Sequence, residues 1–398
     1  MKKVLIIDEE VPFPPNTGKR IRTFNLLKRL QQNHSIVYLC YDNKTSILPE
    51  LKNVTFIQLP SPVLEQKGIP FYSALLRNIF SSRPYTVDRH CSPLMQRTVA
   101  SLLEKGGFDL IHCEWTPYTE NIKTWLSQIP SVMSAHNIET QIWHRYCLAE
   151  KNLFKKLFIF TQWKKMDRYE RKASKLYGEV IAVSDLDKKV FHDVFGCSRV
   201  TVVPNGVDEV CFSPGTEKPK PHSLIFTGSM DWRPNQDGVV FFLRDIFPLI
   251  QKELPESTLT IAGREPPRWL TDLGKKTKGV TLTGTVEDIR PFIFQSALVV
   301  VPLRIGGGSR LKILEALSME KTVLSTSIGA EGLNLQDEEH LIIKDTPDSF
   351  ASAAVDMLAN PEKYSALGYQ GRKRVLEQYT WDSIGRLMEQ VWARAATN

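Results

Sequence analysis

SALVVVPLRIGGGSRLKILEALSMEKTVLSTS, residues 296–327, decides the fold. Its near-continuous apolar run, Leu298 to Leu303, is rich in β-branched residues and predicts a strand buried on both faces. Three glycines (Gly306, Gly307, Gly308) then make a loop, and Ser309 is the candidate N-cap of a helix, RLKILEALSM. A second apolar run, KTVLSTS, is the next strand. Strand, helix and strand in that order form a βαβ unit, whose two strands are parallel.

The same alternation runs outward through the whole chain. Upstream it is carried by KKVLIID, HSIVYLC, VTFIQLP, FDLIHCE, SVMSAH, EVIAVS, RVTVVPN, HSLIFTG, STLTIAG and GVTLTG, and downstream by HLIIKD, with helical-period segments mostly between them. Thirteen candidate strands are too many for one open sheet, so the expected fold is α/β with two doubly wound, Rossmann-like parallel-sheet domains. Between VVPNGVD and HSLIFTG lies CFSPGTEKPKPHS, dense in Pro, Gly and Lys and without apolar periodicity. It marks a linker at 206–221 between a first domain, 1–205, and a second, 222–380. A terminal helix follows at 381–398. Its Trp381, Ile384, Leu387, Met388 and Val391 share one face that needs a docking surface, for which the first domain is the candidate.

Bulk composition narrows the class. The 398 residues, 42% hydrophobic and 24% charged, are those of an ordinary globular protein with room for two domains. The net charge of +7 suits an anionic ligand or surface without choosing among them. Six scattered cysteines show no zinc or redox spacing and read as free thiols in a reducing cytosol. The apolar run after Lys2 and Lys3 stops at Asp8, too short for a signal core, and no stretch approaches the length of a membrane span. The expected location is the cytoplasm.

Four places carry candidate chemistry. After the 298–303 strand, the glycine loop lets backbone approach a ligand, and N–H groups at a helix start favour an anion. Arg310 and Lys312 in the first turn oppose the helix dipole unless a phosphate is bound there. Lys312 and Glu315 share a face, giving an anion cradle beside a carboxylate suited to ribose hydroxyls; the alternative is a flexible loop with a surface Lys312–Glu315 pair. The loop is neither a P-loop nor a dinucleotide fingerprint. The second place, PPNTGKR after the first strand, presents Asn16, Thr17 and Gly18 where ligands of open α/β sheets bind, or is an ordinary connection. The third is His136, with Asn137, at the end of SVMSAH; His112, inside its strand, reads as packing. The fourth, FTGSMDWRPNQDG, offers Arg233 to a phosphate or to solvent, with Asn235 or Asp237 as a helix cap. AGREPP (262–267) and GTVEDI (284–289) follow strands on the same side and can frame a base.

Taken together, these pieces resemble the retaining family-4 glycosyltransferases of the GT-B fold, over nearly the whole chain. VVPNGVD looks like that family's inter-domain signature, TGTVEDIRPFI like its nucleobase-side loop, and GGGSRLKILEAL with IGAEGL like the donor-site helix of a GGG-S/T-R-L-K type. PPNTGKR and SAHN look like its first-domain glycine loop and cleft histidine. The resemblance implies a cleft between the two domains and transfer of a sugar, with retention, from a UDP- or GDP-sugar to a glycan, lipid-linked or small-molecule acceptor, without a metal or other cofactor. It implies that Glu315 binds the ribose, that Arg310, Lys312 and Arg233 hold the diphosphate, and that Gly306, Gly307, Gly308 and Ser309 contact the donor through backbone, with Gly18 in support and Val286 at the base. His136 then orients the transferred sugar beside Asn16, Thr17 and Asn137 on the acceptor side. Gly307 stands where the family often has a first glutamate, and Ser229 and Pro234 stand where it usually has Arg and Lys. Two other readings follow: a non-catalytic nucleotide-sugar-binding or scaffold protein of GT-B fold, and a GT-B nucleotide-sugar epimerase.

KNLFKKLFIFTQWKKMDRYERKASK, residues 151–175, interleaves nine basic residues with Phe154, Leu157, Phe158, Phe160 and Trp163. It reads as a peripheral contact to an anionic membrane at its inner face, or as a solvated helix with an ordinary buried stripe. No nucleic-acid reader motif accompanies the charge.

Overall fold

A computed structural model describes residues 1–41, 49–61, 69–216, 218–305 and 310–397. Each apolar run named above holds one strand, and the strands form two all-parallel sheets. The first contains β1 (Lys3–Ile7), β2 (Ser35–Tyr41), β3 (Val54–Leu59), β4 (Leu110–Cys113), β5 (Ser131–Ala135), β6 (Glu179–Ala182) and β7 (Val200–Val202), in the order β3-β2-β1-β4-β5-β6-β7. The second contains β8 (Ser223–Thr227), β9 (Thr258–Ala262), β10 (Val280–Gly284), β11 (Leu298–Val301), β12 (Val323–Ser325) and β13 (Ile342–Ile343), in the order β10-β9-β8-β11-β12-β13. Both are doubly wound α/β sheets.

Register and burial agree with that topology. Val4 of β1 pairs with Ile36 and Leu110, and Leu224 of β8 pairs with Leu259 and Leu298. The inner strands β4, β5, β8 and β11 are buried at every position, because helices cover both faces. Edge strands β3 and β10 are partly exposed. In each sheet the strand order reverses once, between β1 and β4 and between β8 and β11. Crevices form outside the carboxyl ends of strands at such reversals, so the loops after these four strands are where ligands belong.

Two compact units result: Met1–Pro204 together with Ile384–Asn398, and Asn205–Ser383. The first is built around Leu5, Leu39, Ile111, Met133 and Phe191, the second around Phe226, Phe242, Val299, Leu314 and Phe350. The last helix, Trp381–Ala396, returns the chain to the first unit. There Ile384, Met388, Val391 and Trp392 are fully buried, and Trp392 Nε1 donates to His112 Nδ1 at 2.8 Å. The stretch 206–221, expected as a linker, is tied to the second unit. Val207 is buried and its N–H donates to the Tyr379 carbonyl at 2.8 Å, and the Lys220 N–H donates to Gln295 at 2.9 Å. A Pro, Gly and Lys-rich composition records the lack of a periodic element and does not exclude contacts.

Candidate functional sites at the two sheet reversals

In the second unit, the crevice is made by the loops after β8 and β11. Gly228 ends β8 with φ of 148°, a conformation that L side chains rarely adopt. A Cβ there would stand 2.7 Å from Lys312 Nζ and 2.8 Å from Asn235 Nδ2. Gly263, after the neighbouring β9, is needed for a closer contact still, since its Cβ would fall 1.8 Å from the Gly228 carbonyl oxygen. Backbone crowding thus holds the first loop where Lys312 can cross to it.

Lys312 reaches across from the helix Leu311–Ser318. Its ammonium donates to Asn235 Oδ1 at 2.9 Å and lies 4.0 Å from the centre of the Phe226 ring, a cation–π distance. Asn235 in turn donates to the Ser229 carbonyl at 2.8 Å. Asn235 therefore does not cap its helix, Arg233–Phe241, as the sequence suggested; it sits inside the first turn as an adaptor between Ser229 and Lys312. Desolvation, helped by the Arg310 charge, brings Lys312 down to about 7, with Glu315 opposing. Desolvation also pushes Glu315 up to about 7, against the pull of Lys312. No ion pair joins the two, and no hydrogen bond engages the Glu315 carboxylate, among the described residues. The pair of the alternative reading is not formed among the described residues, and its loop lies outside them. What the helix presents is a cation turned to the β8 loop and a carboxylate with unused acceptor capacity.

Arg310 precedes this helix and is buried. It donates to the Ile328 carbonyl at 2.8 Å and lies 3.5 Å from Glu331, so it braces the IGAEGL turn. The helix begins at Leu311, with Arg310 in the cap position. Gly306, Gly307, Gly308 and Ser309 lie outside the described residues. Arg233 is exposed at the first position of its helix, and Val286 is half-buried beyond edge strand β10. Arg264 is a cation that the sequence reading passed over within AGREPP. It donates to Ser229 Oγ at 2.6 Å and pairs with Asp231 at 3.2 Å. The signal was available: β9 neighbours β8, so a basic residue just after β9 lies beside the crevice.

The first unit repeats the geometry with different chemistry. Thr17 caps the helix Gly18–Leu30, its Oγ1 accepting from the Arg20 N–H at 3.3 Å, and Asn16 Oδ1 accepts from Arg20 at 3.3 Å. Asp8, at the end of β1, is buried between Lys19 and the Tyr38 hydroxyl. Burial raises its pKa, with Lys19 opposing. Glu114, at the end of β4, is buried too and lies 3.0 Å from His136 Nε2 and 3.4 Å from His112 Nε2. Burial alone would raise Glu114, but His112, His136 and Arg22 outweigh it and hold it at about 2. Burial lowers His112. Trp392 thus bonds to His112, and Glu114 stands at ion-pair distance from both His112 and His136, whose Nε2 atoms are buried without a hydrogen bond among the described residues. His112 is a buried bridge, in keeping with its reading as packing.

The loop carrying His136 and Asn137 is pinned from behind. Glu170, fully buried, accepts from the Glu139 N–H at 3.0 Å and the Thr140 N–H at 2.9 Å, at the start of the helix Glu139–Ala149. Burial and the neighbouring Glu139 push it up to about 8. Neither Glu114 nor Glu170 was singled out from sequence. Glu114 ends a quoted strand on the side where sites form and could have been found; Glu170 meets its partners only through tertiary packing.

Residues 18–210 match the family model for Glycosyltransferase Family 4, and residues 221–360 match that for Glycosyl transferases group 1. Over 403 aligned residues, 95% of this chain and 97% of the relative, the sequence is 22% identical to an uncharacterized 44.6 kDa protein in the cps region of Klebsiella pneumoniae. It is 29% identical to a probable sucrose-phosphate synthase of Thermosipho melanesiensis over 201 residues, 47% of this chain and 46% of that one. Among solved structures, it resembles sucrose-phosphate synthase from Thermosynechococcus elongatus with a TM-score of 0.77 at 15% identity, covering 99% of both chains. It also resembles Anabaena HepE in complex with UDP and glucose, with a TM-score of 0.70 at 13% identity, covering 99% of this chain and 100% of that one.

Proposed function

We propose, from the premise that this chain is a glycosyltransferase of the family-4 type with the GT-B fold and of hexosyltransferase class, that it moves a hexosyl group with retention from a nucleoside diphosphate sugar, UDP- or GDP-linked, without a metal. The observation that carries this reading is the pairing on one helix of Lys312, desolvated and aimed at the β8 loop, with Glu315, a desolvated carboxylate. A diphosphate restores the charge balance that favours protonated Lys312, and ribose hydroxyls give the Glu315 carboxylate its donors. In this reading Arg264 and Arg233 add positive charge along the diphosphate, and Arg310 positions the turn that follows β12. The expectation that Gly308 and Ser309 contact the donor through their backbone N–H groups belongs to the same reading. Fixed cations here supply the charge stabilisation that a metal supplies elsewhere.

The acceptor hydroxyl oxygen bonds to the anomeric carbon on the face from which the diphosphate departs. The carbon–phosphate-oxygen bond breaks, and the hydroxyl proton passes to the departing phosphate oxygen. His136, beside Glu114, orients the sugar being transferred, with Asn16, Thr17 and Asn137 on the acceptor side and Gly18 in support of the donor. The acceptor is a growing or lipid-linked glycan, met at the inner face of a membrane. A relative in a cps region supports a place in polysaccharide assembly.

Thermal shift against UDP, GDP, ADP and their sugars, with and without EDTA, tests the donor half on wild type and Glu315→Ala. A ligand at a hundred times its Kd raises stability by about 2.7 kcal/mol. A base-selective, EDTA-insensitive shift lost in Glu315→Ala is the expected result. Absence of a shift with every nucleotide would overturn the reading in favour of a scaffold. Isomerisation of a UDP-sugar without acceptor would identify an epimerase instead.

A further inference from the structure

We propose that the first two turns of the helix Leu153–Ala173, with Leu148 before them, dock on an anionic lipid bilayer. This rests on the placement at a membrane face above and is independent of the nucleotide half. The helix is held to the first unit by its later turns: the buried residues are Gln162, Met166, Glu170 and Ala173, and none lies before Gln162. Gln162 bonds to Asn78 at 2.8 Å and accepts from the Tyr85 N–H at 2.8 Å.

The earlier turns carry the apolar residues outward. Phe154 is 87% exposed, Leu153 79%, Leu148 67%, Leu157 63% and Phe160 42%. The buried stripe offered as the alternative reading of this segment is therefore absent from its first half. These turns are nonetheless ordered locally, since Glu150 accepts from the Lys151 and Asn152 N–H groups at 2.9 Å each and Asn152 caps the helix through the Lys155 N–H at 3.1 Å. A fixed apolar face in water has a cost that an occupant removes.

Charge selects the occupant. Lys151, Lys155, Lys156 and Lys164 border the patch in sequence, and the one acidic residue from Leu148 to Met166 is Glu150, whose carboxylate accepts from two backbone N–H groups. Lys164 lies 4.2 Å from the Trp163 ring centre and 5.7 Å from that of Phe160, an arrangement in which an ammonium rides above aromatic rings. A second copy of the same patch, facing it across a twofold axis, would bring lysines against lysines. A bilayer bearing anionic headgroups takes both the aromatic side chains at its acyl boundary and the lysines at its surface. No helix among the described residues is long and apolar enough to cross a membrane, so the attachment is peripheral.

Sedimentation with vesicles of phosphatidylcholine alone, and of phosphatidylcholine mixed with phosphatidylglycerol, reads the proposal directly. Wild type is expected to bind the mixed vesicles, with affinity falling as salt rises. Phe154→Asp with Leu157→Asp should abolish binding, and Lys155→Gln with Lys156→Gln should weaken it about 25-fold, roughly fivefold per lysine. Both variants should keep the wild-type melting temperature and any nucleotide-induced shift, which separates failure here from failure of the donor site. No binding, equal binding to both vesicles, or a wild-type dimer dispersed by Leu157→Asp would overturn the proposal.

Discussion

Replacing Lys312 by Met should stabilise the ligand-free protein while weakening its hold on the donor. The ammonium is desolvated, and its pKa falls from 10.5 to about 7. A group whose folded pKa is depressed contributes its full stability above its unfolded pKa and loses it as pH falls through the folded one. For Lys312 that window runs from about pH 10.5 down to about 7. At 1.36 kcal/mol for each tenfold, the cost below pH 7 has an upper bound of about 5 kcal/mol. Half-burial, the Phe226 ring and the Asn235 bond reduce what is released, so we expect about 2 kcal/mol. Methionine keeps the stem and drops the charge. In a unit of this size that corresponds to a rise of roughly 4–8 °C in Tm. Losing a charge-assisted bond to the diphosphate should cost about 1.5–3 kcal/mol, roughly a 10- to 150-fold weaker Kd. Differential scanning fluorimetry at pH 6 and pH 10, with and without UDP or GDP, measures both effects. The stability gain should shrink at the higher pH. A Lys312→Met protein that melts below wild type at pH 6, or that binds nucleotide as wild type does, would refute the reasoning.

Three further outcomes follow from the same geometry. Glu315 is raised to about 7 from 4.5, so its folded state loses stability as pH climbs through that interval; Glu315→Gln should therefore raise Tm at pH 8 but not at pH 4, while nucleotide titration shows at least tenfold weaker binding. Glu114→Gln removes the charge beside His136 and should lower kcat/KM by about 10- to 100-fold with nucleotide Kd unchanged; an unaltered rate and pH profile would remove Glu114 from the positioning of His136. Glu170→Ala leaves the Glu139 and Thr140 N–H groups buried without their acceptor and should cost about 1–2 kcal/mol, read in urea melts of the first unit. A Glu170→Ala midpoint matching wild type would show that the cap contributes nothing.

Much of the fold was legible because its signal is local. Buried parallel strands need uninterrupted apolar runs, and all thirteen runs carry strands in the positions read from periodicity. Gly228, within the quoted FTGSMDWRPNQDG, meets a steric demand that another residue type would not, and that demand appears only in the folded backbone. The site was legible only where a motif lies on one element. Lys312 and Glu315 share a helix, so spacing alone puts them on one face. Asn235 and Lys312 are distant in sequence, as are Glu170 and Glu139, and no periodicity links them.

The sequence by itself determined the parallel α/β class, the two sheets and the helix that bears Lys312 and Glu315, because these depend on local steric preference and on the period of apolar residues. Tertiary structure alone decided what each charged group touches. It turned Arg310 inward to Ile328 and Glu331, turned Lys312 away from Glu315 toward Asn235, placed Glu114 against His136, and left Phe154 and Leu157 outside the core. The reason is that the energy of a charge or an apolar ring depends on its partners and on its access to water. Both are set by residues far away along the chain.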